Sequence, residues 1–213
     1  MTSAAQPDGR RARWDEHRLA RRRELVEAAV AAVREHGAAV GMDEIAAVAG
    51  TSKTVVYRHF GDRAGLYAAV ADRVDATIIR SITRAAGGAE AGPLPPREVV
   101  RAAIGAYLHL VESDPQVYRF IVNAPLLAPG ERPEGDVTAG MTGRVAEHVA
   151  RIVRDGLRGR VEEPTARLWG VALVGMVRAV ADAWLAEGAA DGRTASDLAD
   201  ALTTLAWDGL SPS

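Results

Sequence analysis

Apolar residues recur at intervals of three and four almost from end to end of this chain, and strict alternation is missing. That period places one apolar stripe on each of a series of α-helices. Over residues 14–36 the stripe is Leu25, Ala28, Ala29, Ala32 and Val33, and Gly37 stands where a left-handed C-cap belongs. A short helix is predicted over 42–49. Asp43 and Glu44 occupy its first turn, where carboxylates favour the helix dipole, and Ile45 and Ala49 face inward. Gly50 closes it. Ser52 caps a second short helix over 53–60, in which Val56 and Phe60 lie one turn apart. Gly61 ends that helix, and Asp62 caps a longer one over 62–86.

Residues 87–96, GGAEAGPLPP, form the clearest break in the pattern and predict a loop. A helix follows over 97–113, and Asp114-Pro115 reads as N-cap and first helical residue of another, ending at Asn123. The stretch 124–135 carries Pro125, Pro129, Gly130, Pro133 and Gly135 and reads as a second loop. Three more helices are expected, over about 136–158, 164–187 and 195–207. The expected class is all-α: an N-terminal three-helix domain around a helix-turn-helix, then a C-terminal helical domain for ligand binding and dimerisation. The expected divisions are a basic flexible arm at 1–17, the first domain at 18–64 and the second at 65–213, joined by the helix over 62–86.

Composition changes this picture little: 48% hydrophobic and 25% charged residues describe a globular chain and exclude disorder. Cysteine is absent, which excludes disulfides and thiolate chemistry. The Arg-rich N-terminus lacks the apolar core of a signal peptide, and no apolar run is expected to span a bilayer, so a cytoplasmic protein without a membrane partner is expected. Charge is more informative. The net charge is only −2, yet Arg10, Arg11, Arg13, Arg18, Arg21, Arg22 and Arg23 cluster near the start, with only Asp15 and Glu16 between them. A basic end on a mildly acidic body suits a protein that meets phosphate at one end, although a solvated tail has the same composition.

Residues 41–67, GMDEIAAVAGTSKTVVYRHFGDRAGLY, combine these elements. The turn Ala49-Gly50-Thr51 is too short for its flanking helices to run antiparallel, so they must cross steeply. The second helix carries Ser52, Lys53 (the chain's only lysine), Thr54, Tyr57, Arg58 and His59 opposite Val56 and Phe60. Hydroxyls and helix N-terminal N–H groups suit phosphates, and the longer side chains suit base edges. The stretch resembles the DNA-binding domain of the tetracycline-repressor (TetR) family, through Ile45-Ala46, Ala49-Gly50, Ser52, Tyr57, Phe60 and Leu66. The resemblance implies that Tyr57-Arg58-His59-Phe60 lies in the recognition helix and that Arg63 meets a phosphate. The expected DNA-binding residues are Thr51, Ser52, Lys53, Thr54, Tyr57, Arg58, His59 and Arg63. Four departures stand out. Met42 replaces a hydroxyl N-cap, so the cap passes to Gly41; Thr51 replaces an aliphatic residue; Arg63 replaces lysine; and Gly65 weakens the first turn of the next helix.

No two of the five histidines share the i, i+4 spacing of a helical metal pair, no carboxylate pair flanks a cleft, and no phosphate loop appears. No metal, cofactor or catalytic residue is therefore expected. The segment 164–187 is apolar nearly all round, and Gly170 and Gly175 permit close helix approach. Together with 195–207 it is read as a dimer interface through Leu168, Val171, Gly175, Leu198, Leu202 and Leu205. Completion of the monomer core is the competing reading. The family resemblance also implies dimerisation through the last two long helices. Tyr107, Leu110, Tyr118, Ile121, Asn123, Trp169 and Met176 are candidate pocket residues, with plain core as the alternative. The expected partners are a palindromic double-stranded operator, a second copy of the chain, and a small, largely apolar effector that releases a repressor. The alternatives are a helix-turn-helix regulator without a small ligand, and a helical enzyme or scaffold.

Overall fold

The computed structural model describes residues 9–85, 94–123, 137–157, 160–187 and 192–209. Among these the regular structure is helix alone: α1 (Gly9–His36), α2 (Met42–Val48), α3 (Lys53–Phe60), α4 (Arg63–Ala85), α5 (Pro96–Ser113), α6 (Pro115–Asn123), α7 (Val137–Gly156), α8 (Glu163–Glu187) and α9 (Ala195–Asp208). The expected all-α class, helix-turn-helix first and bundle second, is the one that forms. Most of the loop at 87–96 and all of that at 124–135 lie outside the described residues.

α1 begins earlier than the apolar stripe indicated. Residues 9–17, read as part of a flexible arm, are helical, because neither proline nor glycine interrupts 10–36 and Ala and Arg are strong helix formers. The core nevertheless starts only at Leu25. From there α1 packs on α2 and on α4, and one continuous core that includes Ile45, Ala46, Leu66 and Val70 runs on along α4 to Ile82 and into α5, α7 and α9. α6 ties this bundle back to α1. The Asp114 carboxylate accepts two bonds from Arg34, at 2.8 and 2.7 Å, and Gln116 Oε1 accepts the Ala38 N–H at 3.1 Å.

The two glycines of α8 have different roles. A Cβ on Gly170 would lie 2.3 Å from the Ala146 carbonyl oxygen of α7, whereas one on Gly175 would meet nothing within 4 Å. α8 therefore spends one face on α7 of its own chain. α9 likewise lies on α5, with Gly105 facing Ala199. This corrects part of the interface expectation: Leu198 and Leu202 are buried inside the chain, because the narrow stripe of α9 is used on α5. Leu168, Val171, Gly175 and Leu205 stay exposed. A second correction concerns length and hydropathy. Residues 163–186 of α8 are long and apolar enough to cross a membrane by length and composition alone, because no charge falls within 168–177.

Gly170→Ala should lower stability, since overpacking against a backbone carbonyl costs about 1–3 kcal/mol and the helix-propensity gain offsets only about 1 kcal/mol. Gly175→Ala should leave the melting temperature equal or higher. Thermal denaturation of the two variants side by side checks the pair, and a Gly170→Ala protein as stable as Gly175→Ala would show that α7 and α8 do not approach this closely.

Candidate nucleic-acid interface and effector cavity

Backbone devices set the angle between α2 and α3. Gly41 is the N-cap of α2, as the sequence implied, and its N–H donates to the Glu44 carboxylate at 3.1 Å. At the other end, Ala49, Gly50 and Thr51 N–H groups each donate to α2 carbonyls at 3.0 Å. Gly50 turns the chain with φ +60°, a conformation that a side chain would strain. Ser52 Oγ then accepts the Val55 N–H and starts α3. A helix of eight residues needs outside support. Val56 and Phe60 supply it by entering the core.

None of the expected DNA-facing side chains is fully buried, although Tyr57 packs against the edge of that core. Ser52, Lys53, Thr54, Arg58 and Arg63 are exposed, and Thr51, Tyr57 and His59 are half-buried. Arg63 Nε donates to the Tyr57 hydroxyl at 3.5 Å, and Lys53 pairs with Asp43 of α2 at 2.7 Å. His59 has its pKa held below the usual value, first by burial and then by Arg58, Arg21, Arg22 and Arg18.

Two residues that fix α3 were misjudged in the sequence. Arg22, read as one charge of a basic run, donates to the His59 carbonyl at 2.6 Å and lies over the Phe60 ring, 4.3 Å from its centroid. The signal was present, since Arg22 falls three residues before Leu25 and so continues the inward stripe of α1. Gly65, read as a weak point, is required: a Cβ there would sit 2.0 Å from the Phe60 carbonyl oxygen. Asp62 Oδ1 accepts the Gly65 N–H at 2.7 Å and caps α4 at the same place.

Behind this unit, α4, α5, α7 and α8 enclose an apolar cavity of about 30 Å³, lined among others by Ile82, Val100, Tyr107, Val149 and Leu173. Of the seven residues proposed from sequence, Tyr107 alone lines it. Tyr118 packs edge-on against Tyr107 at 6.3 Å and donates to Asp182 at 2.6 Å, so it stands behind the wall. Ile121 is wholly buried, with its carbonyl accepting the Tyr67 hydroxyl, and Asn123 is exposed at the end of α6. Leu110 lies in a separate depression with Arg34, Arg73 and Asp114. Trp169 and Met176 line a wider groove of about 410 Å³ with Leu157, Ala206 and Trp207, which meets the cavity at Val100, Val153 and Leu173. These walls come from four helices, a convergence that no single stripe of the sequence announces.

α4 is also tied to α7 by charge. Arg144 bridges Asp72 at 2.7 Å and Asp75 at 2.5 Å, and Asp75 is buried with its Oδ1 unpartnered. Burial pushes the Asp75 carboxyl up from 3.8 to about 6, against the pull of Arg144.

A short helix held outward across a glycine turn and seated on a longer third helix, with a hollow helical bundle behind, defines a helix-turn-helix protein with a helical C-terminal domain. Residues 25–70 match the family described as bacterial regulatory proteins, tetR family, and residues 83–213 match the tetracyclin repressor-like C-terminal domain. The chain is 35% identical over 210 residues to an uncharacterized HTH-type transcriptional regulator of Mycobacterium tuberculosis, covering 95% of this chain and 82% of that protein. A TetR-like transcriptional regulator from Rhodococcus sp. RHA1 has a TM-score of 0.60 at 26% identity, over 91% of this chain and 97% of that one. FadR of Bacillus subtilis, solved in complex with stearoyl-CoA, has the same fold, with a TM-score of 0.66 at 15% identity over 88% of this chain and 98% of that one. The chain belongs to the TetR family of DNA-binding transcriptional regulators and is not an enzyme.

The raised Asp75 pKa has a consequence for stability. Between pH 4 and 6 the folded chain holds a proton that the unfolded chain has lost, so stability falls as pH rises through that window and stays lower above it. Asn at this position does not titrate. The difference in melting temperature, Asp75→Asn minus wild type, should therefore increase from pH 4 to 6 and level off above 7. A difference independent of pH would show that Asp75 titrates normally.

Proposed function

We propose that this regulator is a cytoplasmic homodimeric repressor, released from a palindromic operator by a small, largely apolar effector held between α4, α5, α7 and α8. The observation that carries this reading is the position of Ile82. It lines the apolar cavity, and it lies on the same helix whose first turn, through Gly65 and Leu66, seats the end of α3. A ligand that enlarges the cavity displaces α4 and with it α3. Two copies of α3 must sit about 34–36 Å apart to enter successive major grooves, so a small tilt of α4 spoils both contacts together. A cavity of about 30 Å³ has room for roughly one water molecule, and effector entry must therefore expand it. Useful switching requires a preference of about 1–3 kcal/mol for the expanded state. FadR, solved with stearoyl-CoA, provides an example of this fold holding a molecule with a long apolar chain.

The dimer is supported by the apolar surface of α8 and α9. Leu168, Trp169, Val171, Leu205 and Trp207 are all exposed, and only 17% of the most apolar stretch of α8 is buried. A patch of this kind calls for cover, and α8 and α9 from a second copy would form a four-helix contact. Gly175→Arg should then give monomers in sedimentation with the helical content retained. The small cavity also favours the second reading, a regulator without a small ligand.

Thr51, Ser52, Lys53, Thr54, Tyr57, Arg58, His59 and Arg63 are the proposed DNA contacts. Tyr57→Ala should weaken operator binding by about 1–3 kcal/mol, and Arg63→Ala should weaken binding to all sequences alike and reduce the salt slope by about one. An altered base preference in Arg63→Ala would remove Arg63 from the phosphate contacts. For the effector, the intrinsic tryptophan fluorescence of the protein is followed during titration with long-chain acyl and aromatic compounds, with operator binding measured in parallel. Quenching together with release supports the switch; quenching without release shows a pocket that does not signal; absence of any binder favours the ligand-free regulator.

A further inference from the structure

Among the described residues two buried side-chain atoms have no hydrogen-bond partner, Asp75 Oδ1 and Trp184 Nε1, and only the first belongs to a charged group. Asp75 is 2% exposed. Its Oδ2 accepts from Arg144 Nε at 2.7 Å and pairs with Arg144 Nη2 at 2.5 Å, while the same Nη2 also reaches Asp72 at 2.7 Å. One guanidinium thus serves two carboxylates, and this group of three side chains is one negative charge in excess. Burial pushes the Asp75 carboxyl up to about 6 in spite of Arg144, as expected for a buried anion that its partner does not fully offset. A buried acceptor without a donor is a standing cost to the fold.

Its position gives this oxygen a use. Ile82 follows Asp75 by seven residues, which places it two turns further along nearly the same line of α4. Arg144 adjoins Val145 on α7, and Ile82 and Val145 both line the apolar cavity. Asp75 therefore lies in the same α4–α7 seam as the cavity, on the side nearer α3. Of the residues that line the cavity, Tyr107 alone has a polar side-chain atom. A ligand that expands the cavity along the seam toward α3 meets a carboxylate oxygen in need of a donor.

We propose that Asp75 Oδ1 anchors the effector, and that the effector is an apolar molecule carrying a protonated amine. The proposal rests on the cavity being an effector site and adds the chemistry of its polar end. Charge decides among the possible head groups. An ammonium supplies the missing hydrogen bond and balances the excess charge of Asp72, Asp75 and Arg144. A hydroxyl supplies the bond alone, and a carboxylate supplies no donor and adds repulsion. With three N–H donors, an ammonium also competes for Oδ2 and leaves Arg144 to Asp72. The tie between α4 and α7 loosens as the ligand enters, and α4 carries that displacement to α3.

The test uses the full chain and three probes of one chain length: decylamine, 1-decanol and decanoate, at neutral pH and below their micelle-forming concentrations. Binding is measured by calorimetry for wild type, Asp75→Asn and Arg144→Gln, and melting curves confirm that each variant folds. Wild type should bind decylamine roughly ten to a hundred times more tightly than 1-decanol, the range of a hydrogen bond to a charged group, with decanoate weakest. Asp75→Asn should erase the preference for the amine and keep the affinity for 1-decanol. Arg144→Gln removes the competitor and should widen the preference. A purely structural Asp75 would move all three probes together, in the same direction in both variants. Equal affinity for the probes, a preference for decanoate, or an amine preference that survives Asp75→Asn overturns the anchor and leaves the cavity reading intact. An unchanged preference in Arg144→Gln overturns the competition with Arg144. If no probe binds wild type, the effector reading of the cavity falls and the anchor with it.

Discussion

An eight-residue helix carries too few hydrogen bonds to persist alone, so α3 exists only because something holds its end. The holder is the junction at Phe60. Its ring enters the core, its carbonyl comes so close to α4 that only glycine fits at position 65, and Arg22 reaches from α1 to cover the ring and bind the neighbouring carbonyl. Three helices meet within a few ångströms through contacts that cannot slide independently. The outward residues of α3 inherit their orientation from this junction, since Val56 and Phe60 leave the helix one way to seat.

α4 links that junction to the bundle. Its first turn receives Phe60, its middle carries Asp75 to Arg144 of α7, and Ile82 near its far end faces the cavity. A buried carboxylate with one oxygen unpartnered is an expensive contact, tolerable only while the Arg144 guanidinium stays in place. The helix that adjoins both α3 and the cavity is thus fixed at two points by packing and at one by charge. Close-packed contacts of this kind shift between discrete arrangements and do not deform smoothly, which is the property a switch requires.

The last two long helices divide their apolar surface between two uses. α8 gives one face to α7, where Gly170 allows near-contact of the backbones, and α9 gives its stripe to α5. What remains, from Leu168 and Val171 to Trp207, is apolar and uncovered within one chain. The length and composition of α8 would suit a membrane, but its place beside α7, with Arg178 and Asp182 near its end, is that of a bundle helix with one face unused.

The sequence by itself determined the helices and the helix-turn-helix, because both follow from local physics. The period of apolar residues, the caps at Ser52 and Asp62, and the glycines at 50 and 61 act within a few residues of one another, and the structure reproduces each. It also determined which side chains α3 turns outward, since these are whatever Val56 and Phe60 leave free. Contacts between distant elements were not legible. Gly65 looked like a defect until the Phe60 carbonyl was placed against it, and Leu198 and Leu202 looked available until α5 covered them. The cavity draws Ile82, Val100, Val149 and Leu173 from four helices, each of which reads as ordinary core along its own stripe. A stripe states that a residue is buried but not against what, and only the tertiary structure decided whether that partner was another helix, an empty space or nothing at all.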